Sequence, residues 1–315
     1  MKLSHNLRGL YSNLWRVTKP LTQQKMRKTL LLIVALFVVA GCTMKGTYNR
    51  LDWMLTEYLE RYVELTKAQK KALRQRMQTS LEWHRRTQLP AYTVWFQGVK
   101  HDIQHGITQP QVEQHGLQLL VFWRALMVRF SEDMAVLLPQ LDAKQREELF
   151  TSFADKNAEY HVDYIQLSHK QLRKNYIKRT EDNFDGWLGS VTKQQKQLIV
   201  ASADDIQYIA RDVLKTRLRW QMQLREILRY HKDTATTQAA LQKLFVQPET
   251  LRSERYKQQL IHNAKIITQL IADVANQLTD KQKKHLFKRI DKYIKLFKDL
   301  TEESQLKAAR QCEAC

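Results

Sequence analysis

The chain has 315 residues, 52 Lys and Arg against 32 Asp and Glu, and a formal charge of +20. Its 8 Gly and 5 Pro are about a third of an average domain's share, which argues against folds made of many tight turns and against Gly-rich nucleotide loops. Hydrophobic residues make up 43%, enough for a buried core in one or two domains.

The first segment reads as an address. Residues 1–41 hold seven basic residues and no acid, and Leu30 to Ala40 is an unbroken apolar run of eleven. A membrane-spanning helix needs about 20 apolar residues, whereas eleven behind a basic region fits a signal peptide. Met26 opens a compact signal peptide by itself. The preceding 25 residues are therefore either a long basic region or lie before the true start. The run ends Val39-Ala40-Gly41-Cys42, which resembles the bacterial lipobox. The resemblance implies a diacylglycerol and an N-acyl chain, palmitate among them, on Cys42. Residues 42–46 are then a lipidated tether and 47–311 a single helical domain. A tail, 312–315, holds Cys312 and Cys315. Cleavage before Cys42 leaves 274 residues and a charge of +13 (45 basic, 32 acidic). Thr43, rather than Asp, after the lipidated residue implies the periplasmic face of the outer membrane. The Cys312/Cys315 pair reads as a local disulfide or an inert tail, with an exchange-active or metal-binding pair as the alternative.

Beyond the tether, no stretch alternates with period 2, and helical periodicity recurs. Expected core stripes are Leu51, Leu55, Tyr58 and Tyr62; then Leu117, Leu120, Trp123, Met127 and Phe130; then Leu260, Ala264, Ile267, Ile271 and Val274; last Leu286, Ile290, Tyr293, Ile294 and Phe297. Breaks are expected at Leu89-Pro90, Gly106, Leu138-Pro139, Gly186 with Gly189, and Gln247-Pro248. One pattern recurs: an apolar residue, Thr or Asp, two residues, then Gln. It occurs at Thr66/Gln69, Thr108/Gln111, Asp142/Gln145, Thr192/Gln195 and Thr279/Gln282. This is the capping box that opens helices, with a weaker start near Asp233 to Thr237. The fold class expected is all-α: an elongated multi-helix bundle or irregular helical-hairpin array, without a sheet.

Several stretches resemble an uncharacterised family of Gram-negative lipoproteins, catalogued as a domain of unknown function. They are Tyr48-Asn49-x-Leu51-Asp52-Trp53, Trp83-His84-Arg85-Arg86, Trp187 to Gln195, and Leu278-Thr279 to Leu286. The resemblance implies an all-helical envelope protein tethered to a membrane, and no known catalytic residue or ligand. A looser likeness is to the Spy and CpxP group of helical periplasmic chaperones, which carry paired Leu-Thr-x-x-Gln motifs.

Candidate chemistry is sparse. Asp52, Trp53, Trp83, His84, Arg85 and Arg86 are expected to form a polar network, with Asp52 paired to Arg85 or Arg86, either ordering the first helices or lining a partner pocket. His101 and His105 are weak candidates for a metal, since a site needs three or four converging ligands. No nucleophile elbow, Walker loop, dinucleotide fingerprint or zinc-finger pattern is present. No cofactor beyond the covalent lipid is expected, and no enzyme. Basic residues crowd Arg211–Arg229 and Lys281–Lys298, and basic faces attract anionic partners. Behind a signal peptide these are lipid headgroups, peptidoglycan or acidic envelope proteins, and not nucleic acid. The function expected is non-catalytic binding of envelope proteins, chaperone-like in character. The alternative is an adaptor that contacts peptidoglycan or an envelope enzyme through its basic faces.

Overall fold

The computed structural model describes residues 41–313 except 231–232. The chain divides into two compact units, Met1–Tyr48 and Asn49–Cys315. In the first, the described part is one helix, α1 (Gly41–Tyr48). The signal peptide expected over 1–41 lies outside the described residues up to position 40. The backbone of 42–46 lies in α1, and the Cys42 side chain is outside what is described.

The second unit is built of helices joined by short connections, with no strand among the described residues. It begins with α2 (Leu51–Leu59) and α3 (Lys67–Trp83). A π-helical segment, His84–Gln88, leads into α4 (Leu89–His105). Next come α5 (Gln109–Leu137), α6 (Ala143–Tyr160), a second π segment at His161–Ile165, α7 (His169–Leu188) and α8 (Lys193–Asp205). The unit closes with α9 (Ala210–Tyr230), α10 (Thr234–Val246), α11 (Glu254–Asn276) and α12 (Asp280–Glu313).

The long α5 packs against α3, α4, α10 and α11, while α12 packs along α4 and α7. One apolar core joins Ala135 of α5, Leu149 of α6, Leu224 of α9 and Leu241 of α10. Another joins Leu188, Ile199, Leu270 and Ile290 from α7, α8, α11 and α12. Leu241 and Ile199 are fully enclosed, each contributing about 1.5–3 kcal/mol by leaving water.

All five expected capping boxes open helices. Ser168/Gln171 forms a sixth that the Thr-or-Asp pattern passed over, and Asp233 caps α10. Four boxes do more. Gln69 and Gln145 exchange amide hydrogen bonds: Gln69 Nε2 donates to Gln145 Oε1 at 3.0 Å and Gln145 Nε2 to Gln69 Oε1 at 2.8 Å. Each Oε1 also accepts its own cap's N–H, from Thr66 at 2.9 Å and Asp142 at 3.1 Å. Each Nε2 gives its second proton to the carbonyl two residues before the opposite cap, Gln140 and Glu64. Gln195 and Gln282 repeat the arrangement, exchanging bonds of 3.2 and 2.8 Å and reaching the carbonyls of Gln277 and Ser190. Again these lie two residues before the opposite caps, Thr279 and Thr192. Two helix N-termini are thereby fastened side by side, α3 to α6 and α8 to α12. Their positive dipole ends would repel. The neutral amide supplies two acceptor sites and two donors, and all are used.

Leu89-Pro90 does not end the helix as expected. Pro90 has no N–H to donate, and the chain widens into π register instead: Leu89 N donates to His84 O. Pro90 offers no N–H to Arg85 O, and Thr301 Oγ1 of α12 stands 3.1 Å from that carbonyl and 2.8 Å from Phe297 O, so its one proton is shared between them. The broken ladder thus becomes a joint with α12. Thr301→Val is expected to lower unfolding stability by about 1 kcal/mol, read as a lower urea midpoint.

Two of the expected core stripes are corrected. Leu117, Leu120 and Trp123 of α5 are exposed, and so are Ala264, Ile267 and Ile271 of α11; α5 is instead buried through Val112 and Phe122, and α11 through Tyr256, Asn263 and Leu270 together with Val274 of its expected stripe. Leu55 is exposed as well, with Thr56 buried beside it. The last stripe turns inward through Leu286 and Ile290. Gly189 ends α7 at φ +86°, and a Cβ there would meet the His285 ring at 3.3 Å; both facts favour glycine. Gly186 lies inside α7 and breaks nothing.

Candidate functional site

The π segment carries the Trp83-His84-Arg85-Arg86 sequence to the side of α12. Asp52 does not meet either arginine. It accepts from Gln78 Nε2 at 2.8 Å, because α2 lies along α3 and presents it to that helix. The arginines converge on Glu82, which the sequence reading passed over. Arg85 Nη1 lies 2.5 Å from Glu82 Oε1 and Arg86 Nη2 3.8 Å from Oε2. Ser304 of α12 donates to Glu82 Oε2 at 2.7 Å and accepts from Arg86 Nε at 3.0 Å. Lys307 stands 3.8 Å away. Arg85 also donates to Asn49 Oδ1 at 2.8 Å. Burial alone would raise the Glu82 carboxyl, but the Ser304 hydroxyl, Arg85 and Lys307 outweigh it and hold it below its ordinary value. The signal in the sequence was Glu82-x-x-Arg85-Arg86, acid and bases at i, i+3 and i+4 on one helix.

His84 turns from this network into an aromatic cluster. Its ring is 5.4 Å from that of Tyr92, which lies 4.6 Å from Phe122 and 5.9 Å from Phe297. Burial, with the adjacent Arg85 charge, lowers its pKa to about 4, so the imidazole is neutral at ordinary pH. Trp83 packs obliquely on His84 at 6.5 Å. Trp53 is half exposed and stays outside the cluster. The assembly joins α3, α4 and α12 through the Glu82–Ser304 contact and the Tyr92–Phe297 ring contact.

A second buried polar cluster was also missed. Asp133 of α5, 2% exposed, accepts from Ser80 Oγ at 2.5 Å and lies 3.5 Å from Arg76. Arg129 donates to the same Ser80 oxygen at 2.9 Å. This cluster joins α3 to α5.

His101 and His105 stack with ring centres 4.3 Å apart, and His105 Nδ1 lies 2.8 Å from His101 O. His115 turns away to Asp102, 2.8 Å distant. Among the described residues, no group of three or more His, Cys, Asp or Glu is placed to hold a metal ion. The side chain of Cys312, and the whole of Cys315, lie outside the described residues.

What α5 leaves uncovered is chemically more distinctive. Leu117, Leu119, Leu120, Val121 and Trp123 are between 47% and 58% exposed. They are i, i+3 and i+4 neighbours, so they form one continuous apolar surface over two turns. α11, which packs on α5, separately leaves Ile261, Ile267 and Ile271 exposed. Single exposed apolar residues are ordinary, but contiguous ones mark interaction sites. Among the described residues no helix is long and apolar enough to cross a membrane.

Fold and surface define a class: an all-α protein in which four helix starts are joined in pairs by glutamine amides and in which α5 leaves an apolar surface exposed. The profile of a family of unknown function, DUF6279, matches residues 61–257, and the chain belongs to that family. The match takes in both members of the first glutamine pair, Gln69 and Gln145, and Gln195 of the second. No curated protein and no solved structure is detectably similar to the chain.

Proposed function

We propose that this protein is a lipid-anchored envelope factor that binds other proteins without catalysing a reaction. In this reading Cys42 carries the diacylglycerol and N-acyl chains, and the helical unit hangs on the periplasmic side of the outer membrane. The observation that carries the binding role is the exposed Leu117–Trp123 surface. Burying it on a partner removes several large apolar side chains from water, at about 1.5–3 kcal/mol for each one fully covered. The partners are apolar segments of envelope proteins, partly folded ones included, taken up as a helix or extended segment against α5. The paired Leu-Thr-x-x-Gln boxes support a chaperone-like character by likeness alone.

Leu117→Asp with Leu120→Asp is expected to weaken suppression of client aggregation at least tenfold while leaving the helical signal intact. Equal suppression by the variant would remove α5 as the binding surface. Anchoring is tested separately: Cys42→Ser should leave a larger, unprocessed chain without bound acyl groups, and an unchanged mass would contradict lipidation.

A further inference from the structure

Helix α12 turns one side inward through Gln282, Leu286, Ile290 and Leu300. Its outer side carries exposed Lys281, Lys284, Lys288, Lys295 and Lys298. Their spacings, with Asp291 between Lys288 and Lys295, are 3, 4, 3, 4 and 3, which places them in one row along about 26 Å of helix. Residues 281–298 hold eight basic residues and one acid. That acid, Asp291, is already held by Lys100 of α4 at 2.6 and 2.8 Å. Lys295 meets Asp299 at 3.4 Å. Lys281, Lys284, Lys288 and Lys298 form no ion pair within the described residues.

The other basic segment, α9, differs. Arg217 and Arg225 lie over the rings of Tyr160 and Phe150, and Arg219 donates to Leu251 O. Those cations serve the fold. Four lysines of the α12 row are exposed and make no ion pair among the described residues, and like charges at i, i+3 and i+4 destabilise a helix.

We infer that the lysine row of α12 is an electrostatic docking surface for an anionic phospholipid membrane. The row is straight and lies on one helix side, which suits a flat charged plane. The aromatic residues of α12 turn inward, Tyr293 and Phe297 onto Phe96 and Trp187 and Phe287 onto the core around Leu188 and Ile290, so the row has no stacking platform for single-stranded nucleic acid. Each lysine near an anionic bilayer adds to binding, and a basic patch is the second signal that steadies a lipid-tethered protein. The inference rests on the proposed membrane tether for its setting but is read by a different quantity.

The test compares the full chain with the quadruple variant K281Q/K284Q/K288Q/K298Q and a charge-matched control, K67Q/K71Q/K170Q/K193Q, all exposed positions. Each is mixed with vesicles of phosphatidylcholine alone or with added phosphatidylglycerol. Binding to the neutral vesicles reports the apolar anchor; the gain on adding phosphatidylglycerol reports the lysines. The expected result is that high salt or the α12 variant lowers that gain at least about tenfold, while the control keeps it. An equal loss in both variants would mean that only overall charge matters, and no loss in the α12 variant would overturn the inference outright. Loss of binding to isolated peptidoglycan or to an oligonucleotide, with vesicle binding kept, would also overturn it in favour of that polymer. Should the neutral-vesicle signal be absent while the phosphatidylglycerol gain persists, the tether fails and the α12 surface stands.

Discussion

Gln195→Glu is expected to destabilise the protein by about 2–4 kcal/mol at neutral pH, although glutamate normally serves as well as glutamine in a capping box. The reason is the pairing. Gln195 is fully buried and donates both amide protons, to Gln282 Oε1 and Gln277 O. A carboxylate has no proton to give. It would leave Gln277 O unanswered, take one of two donors from Gln282 Oε1, and bury a charge beside the Gln282 amide. Part of the loss should return as the pH falls and the carboxyl protonates. Gln111→Glu and Gln171→Glu supply the contrast, since these boxes stand alone: their Oε1 atoms accept locally from Thr108 and Ser168. They should shift the thermal midpoint little. Thermal unfolding of the three variants measures the difference directly, and a double-mutant cycle with Gln282 would locate the coupling.

Acidification from neutral pH is expected to cost about 3 kcal/mol through His84 alone. Burial and Arg85 lower this imidazole from its ordinary 6.5 to about 4 in the folded state. Between those values the unfolded chain binds the proton and the folded one does not. Stability is therefore complete above pH 6.5, falls as the pH drops toward 4, and flattens below. The depressed carboxyl of Glu82 adds a loss only below its ordinary 4.5, so the upper part of the window isolates the histidine. His84→Phe keeps an aromatic ring against Tyr92 and removes the titration. Denaturant midpoints measured from neutral pH to pH 5 should fall steeply for the native chain and remain nearly level for the variant.

Helix starts were legible because capping is local chemistry written in four consecutive residues. Five of the six Gln boxes and the Asp233 start could be placed from sequence, and the scarcity of Gly and Pro excluded a turn-rich fold. The pairing of Gln69 with Gln145, and of Gln195 with Gln282, was not legible, since a single cap looks the same whether or not its free amide group meets another across 76 or 87 residues. Pro90 misled because a proline ends a helix only where nothing repairs the ladder, and here the shift to π register repairs it in part, with Thr301, more than two hundred residues away, reaching the open carbonyl.

The α5 stripe failed for a different reason. Leu117 to Trp123 is apolar around most of the helix, so periodicity selects no face. Which side becomes core depends on which helices arrive. α3 and α10 gather at the far end of α5, around Met134 and Ala135, while at the near end Val112 and Phe122 are covered and the rest is left open. The same reasoning accounts for Asp52. Its charge was visible, but the partner is set by the α2–α3 hairpin, which brings Gln78 to it and leaves Glu82 to gather the arginines.

The proposed binding role requires that the open α5 surface hold other proteins in the living cell. A photo-crosslinking residue placed at Leu120, with one at Lys288 as a control, asks this without purification. Irradiation is expected to give discrete protein adducts from position 120 that disappear when Leu117→Asp is added, and none from position 288. An absence of adducts at 120, or the same adducts from both positions, would contradict it.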